Sequence, residues 1–291
     1  MNTRIFSFFS FATACGLLTA ALAGGTGCSS SSGSGGTGGS TGTGGTSGGT
    51  TLDPANLLSD FEDPAAATIV QAGTPARNGY WYSYNDWAAD GVDAATCLQT
   101  PMSGPQAMAK SMPTPTYIGE APPSGDGSGQ TGSLALHAQW NGCSVWGAGI
   151  GADLNQPMLP DGGTYMGAKV PYDLTGYTGV TFWAAVTPNS DSDTALRIKL
   201  PMTDETKVAD GGTCVEDGMT KCSDDFGYKF NLPANGNWKQ ITVKFNDAAF
   251  ATEGWGKQFP WNPMHVTSIQ IQSQHMGEKY DFWIDDMYFT K

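Results

Sequence analysis

The fold of this chain is decided near its end, by the stretch Ser268-Ile-Gln-Ile-Gln-Ser-Gln-His275 and the stretch Tyr280-Asp-Phe-Trp-Ile-Asp-Asp-Met-Tyr-Phe289. In the first stretch, apolar or small residues alternate with Gln270, Gln272 and Gln274, which predicts a strand with one apolar face and one face of amides. The second stretch is aromatic and β-branched but contains the acidic pair Asp285-Asp286. A carboxylate pair inside a closing strand indicates a bound cation.

Earlier in the chain, the same period-two alternation recurs in short segments separated by Gly-rich turns. It predicts strands over 57–63, 80–87, 133–140, 180–186, 195–201, 226–232 and 237–245. Asn141-Gly142 is a hairpin signal, residues 90–132 are expected to be a long loop held by Cys97, and a turn or two near 247–252 is the helical candidate. We therefore predict an all-β domain, a two-sheet antiparallel β-sandwich.

The first 51 residues do not have the composition of a folded domain. Residues 1–28 are predicted to be an export signal, with Arg4 before an apolar stretch and the small-x-small cleavage pattern Ala21-Leu22-Ala23. Cys28 before a serine run is a candidate lipidation site, with simple secretion as the alternative. Residues 29–51 are almost entirely Ser, Gly and Thr, typical of a flexible tether, and 52–291 form the domain. We expect an outer-membrane or cell-surface lipoprotein, or a secreted protein.

The net charge of the chain limits the classes of partner that it can bind. The formal net charge is −13, and removal of the first 27 residues takes away Arg4 alone and makes it −14. So acidic a surface argues against nucleic acid and anionic lipid as partners, so that membrane contact would come only through a lipid anchor. Neutral ligands and divalent cations remain as partners of a chain that we expect to be a monomer.

Four cysteines remain for the domain after Cys15 and Cys28. An even number in an exported chain indicates two disulfides, and the short separation of Cys214 and Cys222 favours a local pair, which leaves Cys97 with Cys143. A zinc site is the alternative, but the spacing lacks a C-x₂-C pattern.

Several segments resemble the jelly-roll carbohydrate-binding modules of the galactose-binding-like type. They are the opening Phe61-Glu-Asp63, Trp81, residues 172–183, Trp238-Lys-Gln240 and the closing Phe282-Trp-Ile-Asp-Asp-Met-Tyr-Phe289. The resemblance spans residues 52–291. It implies a two-sheet jelly roll, a structural calcium ion and a sugar site on the concave sheet or its rim. The passage 90–132 and the Cys214–Cys222 loop depart from a typical module.

The resemblance implies that calcium links the first strand to the last through Glu62 and the pair Asp285-Asp286. The residues support this expectation, because carboxylates brought together by strand pairing repel one another unless a hard cation neutralises them. Asp63 is a further candidate ligand. The alternative is that one member of the acidic pair faces water, since successive strand residues point to opposite faces.

A sugar site combines aromatic rings, which stack on apolar C–H faces, with amides and charged groups that bond hydroxyls. The predicted ligand-binding residues are aromatic residues, mostly at loops or strand ends, and polar residues on outward faces: Trp87, His137, Gln139, Trp146, Arg197, Tyr228, Trp255, Trp261, Gln270 and Gln272. The alternative for any one of them is a packing or solvated role. Because Arg197 and Gln272 are predicted to point away from the core, we expect their truncation to leave the melting temperature nearly unchanged.

These residues predict non-catalytic binding of a polysaccharide or oligosaccharide. The alternative is a jelly-roll polysaccharide lyase or glycoside hydrolase, in which His137, Gln139, Arg197 and Tyr228 share one face and carry out the chemistry. A structural envelope protein without a ligand is a third hypothesis. No H-E-x-x-H or phosphate-loop motif is present, and G-x-S-x-G occurs only within the Ser/Gly/Thr stretch 29–51, outside the predicted domain.

Overall fold

Twelve β-strands make up most of the regular structure. A computed structural model describes residues 53–62, 69, 73, 76–86, 97–100, 118–120, 134–155, 168–191 and 195–291, with backbone alone for 98–100 and 118–120. The strands are β1 (Leu57–Ser59), β2 (Trp81–Asn85), β3 (Leu98–Thr100), β4 (Ile118–Glu120), β5 (Ala135–Asn141), β6 (Ala148–Asp153), β7 (Gly179–Val186), β8 (Ala195–Lys199), β9 (Gly227–Asn231), β10 (Lys239–Lys244), β11 (Ser268–Ser273) and β12 (Tyr280–Thr290). The helical turns among the described residues are single 3-10 turns at Pro54–Asn56, Val208–Asp210 and Pro263–His265.

The strands form two antiparallel sheets. The seven-stranded sheet has the order β10-β7-β12-β5-β3, with β1 also paired to β12 and β4 also paired to β5. The five-stranded sheet has the order β2-β6-β11-β8-β9. All strand pairs in both sheets are antiparallel. The predicted two-sheet antiparallel β-sandwich is thus confirmed.

The core lies between the two sheets, as the alternation predicts. Ile269 and Ile271 of β11 are about 1% exposed and join the core cluster, as do Phe282 and Ile284 of β12. Their strand neighbours point to the outer faces. Burial of one row from each strand stabilises the sandwich and fixes its register, because a slip by one residue would exchange the two faces.

The closing strand β12 contains a β-bulge at the acidic pair. Asp285 pairs with Trp183, and the register then shifts before Tyr288 pairs with Thr181, so β12 has one extra residue there. Asp286 takes a left-handed conformation with φ of 45°. The extra residue returns the following apolar residues, Met287 and Phe289, to the core side.

Some expectations about connections are wrong. Asn141-Gly142 does not make a hairpin, because β5 belongs to the seven-stranded sheet and β6 to the five-stranded one. The turn instead crosses between sheets, with Gly142 at φ of 73°. The passage 90–132 is not all loop, since its described part contains β3 and β4 on the edge of β5. Strand β6 was not predicted, and residues 247–252 form turns rather than a helix.

Both predicted disulfides are present, Cys97–Cys143 and Cys214–Cys222. The first joins the segment before β3 to the turn after β5, and the second closes a loop between β8 and β9. Disulfides fit an oxidising compartment outside the cytoplasm. With Cys97 and Cys143 oxidised, the zinc alternative loses its thiolate ligands.

The described residues all belong to one compact unit, Thr50–Lys291. The predicted export signal 1–28 and the predicted tether 29–51, with the candidate lipidation site Cys28, lie outside the described residues. Among the residues that the structure describes, no helix has the length and apolar character needed to cross a membrane.

Candidate functional site

A groove of about 1030 Å³ crosses the outer face of the five-stranded sheet. Its floor is formed by outward side chains of β2, β11 and β8. Its rim comes from the loop before β6, the Cys214–Cys222 loop and the loop 253–256. The volume is at the upper end of the range usual for ligand pockets, about 300–1,000 Å³.

A row of tyrosines forms one half of the groove. Tyr80, just before β2, and Tyr82 and Tyr84 within it alternate with the buried residues Trp81 and Ser83, and their rings follow one another at centroid distances of 6.5 and 6.0 Å. Trp146 continues the row, stacked on Tyr84 at 6.0 Å. Tyr80 and Tyr82 are only 2% and 7% exposed, whereas Trp146 is 39% exposed, so the stacking surface for a sugar ring lies at the Tyr84–Trp146 end of the row.

Glycines of β6 allow these rings to lie against the sheet. A Cβ atom at Gly149 would lie 2.5 Å from the Tyr84 ring, and one at Gly151 would lie 3.0 Å from the Tyr82 ring. Any larger residue would therefore displace the rings toward solvent. The Tyr84 hydroxyl is buried and has no hydrogen-bond partner in the described part of the chain.

Two buried aspartates hold the loops that carry the groove tryptophans. The Asp86 carboxylate accepts hydrogen bonds from the backbone N–H groups of residues 145–147 at 2.7 to 2.9 Å. The Asp224 carboxylate accepts from the N–H groups of residues 253, 254 and 256 at 2.8 to 2.9 Å. Trp146 and Trp255 are 39% and 53% exposed, so each loop presents an open aromatic ring while its backbone is fixed.

The amide row of β11 lines the centre of the groove. Gln270 Nε2 donates to the Tyr82 hydroxyl at 2.9 Å, and Gln272 Nε2 donates to the Trp146 carbonyl oxygen at 2.7 Å. Each amide nitrogen therefore supports an aromatic residue of the groove. Neither amide oxygen accepts a hydrogen bond from the described residues, so both remain available as acceptors.

Each of two lysines lies between a buried carboxylate and a tyrosine ring of the groove. Lys169 Nζ bonds both oxygens of Asp153 at 2.7 and 2.9 Å and lies 5.9 Å from the Tyr82 ring centre. Lys199 repeats the arrangement with Asp225 at 3.0 Å and with the Tyr84 ring at 5.9 Å. These pairs place charged hydrogen-bonding groups beside the aromatic row.

Burial dominates the electrostatics of this half of the groove. It raises the pKa of Tyr80 to about 12, with the nearby charge of Asp153 contributing in the same direction. The pKa values of Tyr82 and Tyr84 are also raised by burial. Burial raises the pKa of Asp153 above its ordinary value even though Lys169 favours the charged form. The tyrosines are therefore neutral hydrogen-bonding groups at physiological pH.

Five of the ten predicted ligand-binding residues line the groove: Trp146, Arg197, Trp255, Gln270 and Gln272. Arg197 differs from the prediction in its exposure, since it is only 2% exposed. Its Nη2 donates to the carbonyl oxygens of Asp225 and Ala251 at 2.7 and 2.8 Å. These contacts argue against the expectation that its truncation leaves the melting temperature nearly unchanged, because both acceptors would lose their donor.

His137 and Gln139 point outward, but from the other sheet. They lie on β5, and both contact the Asp281 carboxylate, at 2.8 and 3.0 Å. The His137 ring also stacks on Trp283 at 4.0 Å. The hypothesis of one catalytic face shared by His137, Gln139 and Arg197 is wrong, because the first two belong to the seven-stranded sheet and Arg197 to the five-stranded one.

Tyr228 and Trp261 both pack against the core. Tyr228 pairs with Ile198 on the inner side of β9, and it contacts the core cluster rather than the groove. Trp261 belongs to an aromatic group with Phe245 and Phe250 at ring distances of 5.5 and 5.0 Å. Trp87 lies outside the described residues.

Sequence reasoning missed the tyrosine row. The alternation of Tyr80, Tyr82 and Tyr84 around Trp81 was the available signal, since three rings on one strand face, with a core residue between them, indicate an aromatic surface. The lysines Lys169 and Lys199 carried no such signal, because their carboxylate partners come from other strands or loops.

The acidic pair lies where the first and last strands meet. Leu57 and Ser59 of β1 pair with Tyr288 and Met287 of β12, so the predicted pairing of these strands is present. Asp285 and Asp286 are 2% and 3% exposed, hence neither faces water as the alternative supposed. Asp285 Oδ1 accepts a hydrogen bond from the Asp286 N–H at 2.8 Å.

Two further acidic residues, Asp60 and Glu62, follow the first strand. Burial raises the pKa of Tyr288, and the negative charges of Asp286, Asp60 and Asp285 raise it further. Glu62 Oε1 accepts from the Leu134 N–H at 2.7 Å. Asp63 lies outside the described residues. Among the described residues, the group with three candidate ligand atoms within 4.8 Å of one another is Asp86 with the disulfide-bonded Cys97 and Cys143.

Solved structures similar to this chain include carbohydrate-binding proteins. The family 11 carbohydrate-binding module from Clostridium thermocellum, in complex with a beta-1,3-1,4-mixed-linked tetrasaccharide, is 11% identical, with a TM-score of 0.39 over 81% of this chain and 94% of its own. TmCBM61 in complex with beta-1,4-galactotriose is 9% identical, with a TM-score of 0.28 over 72% of this chain and 88% of its own.

An exo-beta-agarase matches 81% of this chain, but only 25% of its own length, at 11% identity and a TM-score of 0.41. No protein-family model and no curated protein matches the chain.

Proposed function

We propose that this protein binds a polysaccharide or oligosaccharide in the groove of the five-stranded sheet without catalysing a reaction on it. The observation that carries the proposal is the row of Tyr80, Tyr82, Tyr84 and Trp146 beside the amides of Gln270 and Gln272. The exposed ring of Trp146 and the half-buried ring of Tyr84 supply a stacking surface, which the buried Tyr80 and Tyr82 support from below. The amide oxygens accept from sugar hydroxyls.

Affinity electrophoresis of the mature chain through gels containing different polysaccharides tests this function. We expect at least one polysaccharide to retard the protein, with no reducing sugar released and no unsaturated product formed. Release of product would instead support the lyase or hydrolase alternative. The absence of retardation by every polysaccharide would contradict the proposal.

A matched pair of tryptophan variants tests whether the ligand binds in the groove. Trp146→Ala removes a ring from the groove, whereas Trp183→Ala removes a half-buried ring from the outer face of the seven-stranded sheet. Retardation should fall about two- to tenfold in the first variant, the equivalent of one aromatic contact. It should not change in the second. Equal losses in both would show that the groove is not the binding site.

We also propose that a calcium ion binds where β1 meets β12. Asp285, Asp286, Glu62 and Asp63 are the proposed ligands. Asp285 and Asp286 are buried side by side, and a hard cation with 6 to 8 oxygen ligands would neutralise them. The described carboxylates alone do not bring three ligand atoms within 4.8 Å, so the proposal requires Asp63 or backbone carbonyl groups.

Thermal unfolding with and without a chelator tests the calcium site. Binding to the folded state alone adds about 2.7 kcal/mol when free calcium is 100 times its dissociation constant. The chelated protein should therefore melt lower and recover when calcium is added. Glu62→Gln should abolish the response, whereas Asp247→Asn, at an exposed turn, should preserve it. Equal melting temperatures with and without calcium would rule the site out.

A further inference from the structure

The groove has a different charge balance from the chain as a whole. Among the described residues, six of the chain's 14 Lys and Arg side chains line it, but only five of its 27 Asp and Glu side chains do. The basic residues are Lys169, Arg197, Lys199, Lys207, Lys221 and Lys229. With a net charge of −13 for the chain, this concentration makes the groove a favourable region for an anion on an otherwise repelling surface.

Near β8 and β9, one carboxylate is shared by two cations. Glu253 Oε1 lies 2.6 Å from Lys229 Nζ, and Glu253 Oε2 lies 3.5 Å from Arg197 Nη1. The other contacts of Arg197 are to carbonyl oxygens, which position the guanidinium without neutralising it. The group of three therefore carries one net positive charge, and the Lys229 side chain is 59% exposed.

The disulfide loop repeats this arrangement at the rim. Glu216 Oε1 lies 3.3 Å from Lys207 Nζ, and Glu216 Oε2 lies 3.9 Å from Lys221 Nζ. A hydrogen bond from the Cys222 N–H to Glu216 Oε1 fixes the shared carboxylate. The two lysine side chains are 44% and 61% exposed, so their ammonium groups keep donors for a ligand.

One positive group lies on the half of the groove opposite the tyrosine row, and the other lies on its rim. That row lies on β2, at one edge of the five-stranded sheet, and Lys229 lies on β9, at the other edge. Resting on the carbohydrate-binding function proposed above, we infer that the saccharide is anionic. Its carboxylate or sulfate groups contact Lys229, Lys207 and Lys221, while its rings lie on Trp146 and Tyr84.

Matched polymers that differ in charge alone test this inference. The probes are polygalacturonate and its fully methyl-esterified form, and a sulfated galactan and its chemically desulfated form. We expect the mature chain to be retarded more strongly by the charged member of at least one pair, which also distinguishes a carboxylate from a sulfate. The preference should weaken as salt rises from 0.05 to 1 M, because screening shortens the Debye length to about 3 Å at 1 M.

Three charge variants and one control assign the preference to the groove. Lys229→Gln and Lys221→Gln should each weaken retardation by the charged polymer about two- to fivefold, the range of an exposed ion pair. Glu216→Gln should strengthen it, since the Gln side chain keeps the acceptor for Cys222 but not the negative charge. Lys239→Gln makes the same charge change on β10 of the other sheet, where it should have no effect.

The possible outcomes separate this inference from the proposed function. Equal, salt-independent retardation by charged and uncharged polymers would overturn the anionic ligand and leave carbohydrate binding in place. A charged preference that Lys239→Gln reduces as much as Lys229→Gln does would overturn the groove as its source. No retardation by any polymer would overturn the proposed function itself.

Discussion

The outer faces of the two sheets are built from similar residues but have opposite characters. On the five-stranded sheet, aromatic and charged side chains line an open groove, and Trp146 and Trp255 remain 39% and 53% exposed. On the seven-stranded sheet, Trp238 and Trp283 are 6% and 7% exposed and pack with Ala135 and Ala185 in a second apolar cluster. One outer face has an open groove, where we propose that the ligand binds, and the other carries a second apolar cluster.

Polar groups on the two faces differ in the same way. On the seven-stranded sheet the Asp281 carboxylate accepts from Gln139 and Asn189 at 3.0 and 2.9 Å and contacts His137 at 2.8 Å. Burial opposes its ionisation, but the hydrogen bonds from His137 and Asn189 prevail and lower its pKa. That network is internally satisfied, whereas the amides of the groove retain acceptors for a partner. The proposed binding function therefore predicts that substitutions on the groove face weaken binding and that substitutions on the seven-stranded face weaken stability.

The largest expected effect is on the outer face of the seven-stranded sheet, called the closed face below. Trp283→Ala removes a buried ring that stacks on His137, and truncation of a buried Trp typically destabilises a protein by about 3–5 kcal/mol. Denaturant unfolding should show a loss of this size. Polysaccharide retardation of the folded protein should be unchanged, and a loss of binding in a variant that is still folded would contradict the division between the faces.

Arg197→Ala is expected to have the second-largest effect, because this residue belongs to the groove and is also buried. Its removal leaves the carbonyl oxygens of Asp225 and Ala251 without their donor, which costs about 2–4 kcal/mol. Both denaturant stability and retardation should fall. Lys244→Ala, at an exposed position of β10, is the control and should change neither. A wild-type stability for Arg197→Ala would contradict the role given to these hydrogen bonds.

Arg197 illustrates what could be predicted from sequence. Alternation around Leu196 and Ile198 correctly placed it away from the core, and the same reasoning located the strands that build both sheets. Alternation does not report how deeply an outward residue is covered, because the covering groups come from distant segments. Here those groups are the carbonyl oxygens of residues 225 and 251.

His137 and Gln139 illustrate the second limit. They were correctly predicted to point outward, yet a sandwich has two outer faces, and strand alternation cannot tell them apart. The choice depends on which sheet receives each strand. Asn141-Gly142 suggested that β5 pairs with the next strand along the chain, whereas the turn crosses to the other sheet. The disulfides were predictable, because few pairings exist for four cysteines and one separation is short.

A third prediction concerns a buried carboxyl behind the groove. Burial raises the pKa of Glu205 to about 8, and the charges of Asp225 and Asp224 add to the shift. Between its ordinary pKa and about 8 the folded state holds a proton that the unfolded state releases. The free energy of unfolding should therefore fall as pH rises through this interval, by at most about 1.4 kcal/mol per pH unit, and level off above it.

Glu205→Gln should flatten this dependence, since its amide stays neutral and still accepts from the Met202 N–H. The variant should match the wild type at pH 5 and exceed it in stability at pH 8. Denaturant unfolding between pH 5 and 8.5 measures both curves, with Glu278→Gln as a control of equal charge change. Parallel slopes for Glu205→Gln and the wild type would exclude this residue as the cause.

The smallest expected effects concern two glutamines, one on the outer face of each sheet. Gln272 Nε2 donates to the Trp146 carbonyl oxygen at the groove, and Gln139 Nε2 donates to the Asp281 carboxylate on the closed face. A net hydrogen bond contributes about 0.5–1.5 kcal/mol, and one to a charged group about 1.5–3 kcal/mol. Gln139→Ala should therefore lower the free energy of unfolding by about 1.5 kcal/mol and leave polysaccharide retardation unchanged.

Gln272→Ala should lower the free energy of unfolding by less than about 1 kcal/mol. It should nevertheless weaken polysaccharide retardation, because it removes a free acceptor and the support of Trp146. If the two variants lose binding equally, outward position alone, rather than the identity of the face, decides which residues contact the ligand.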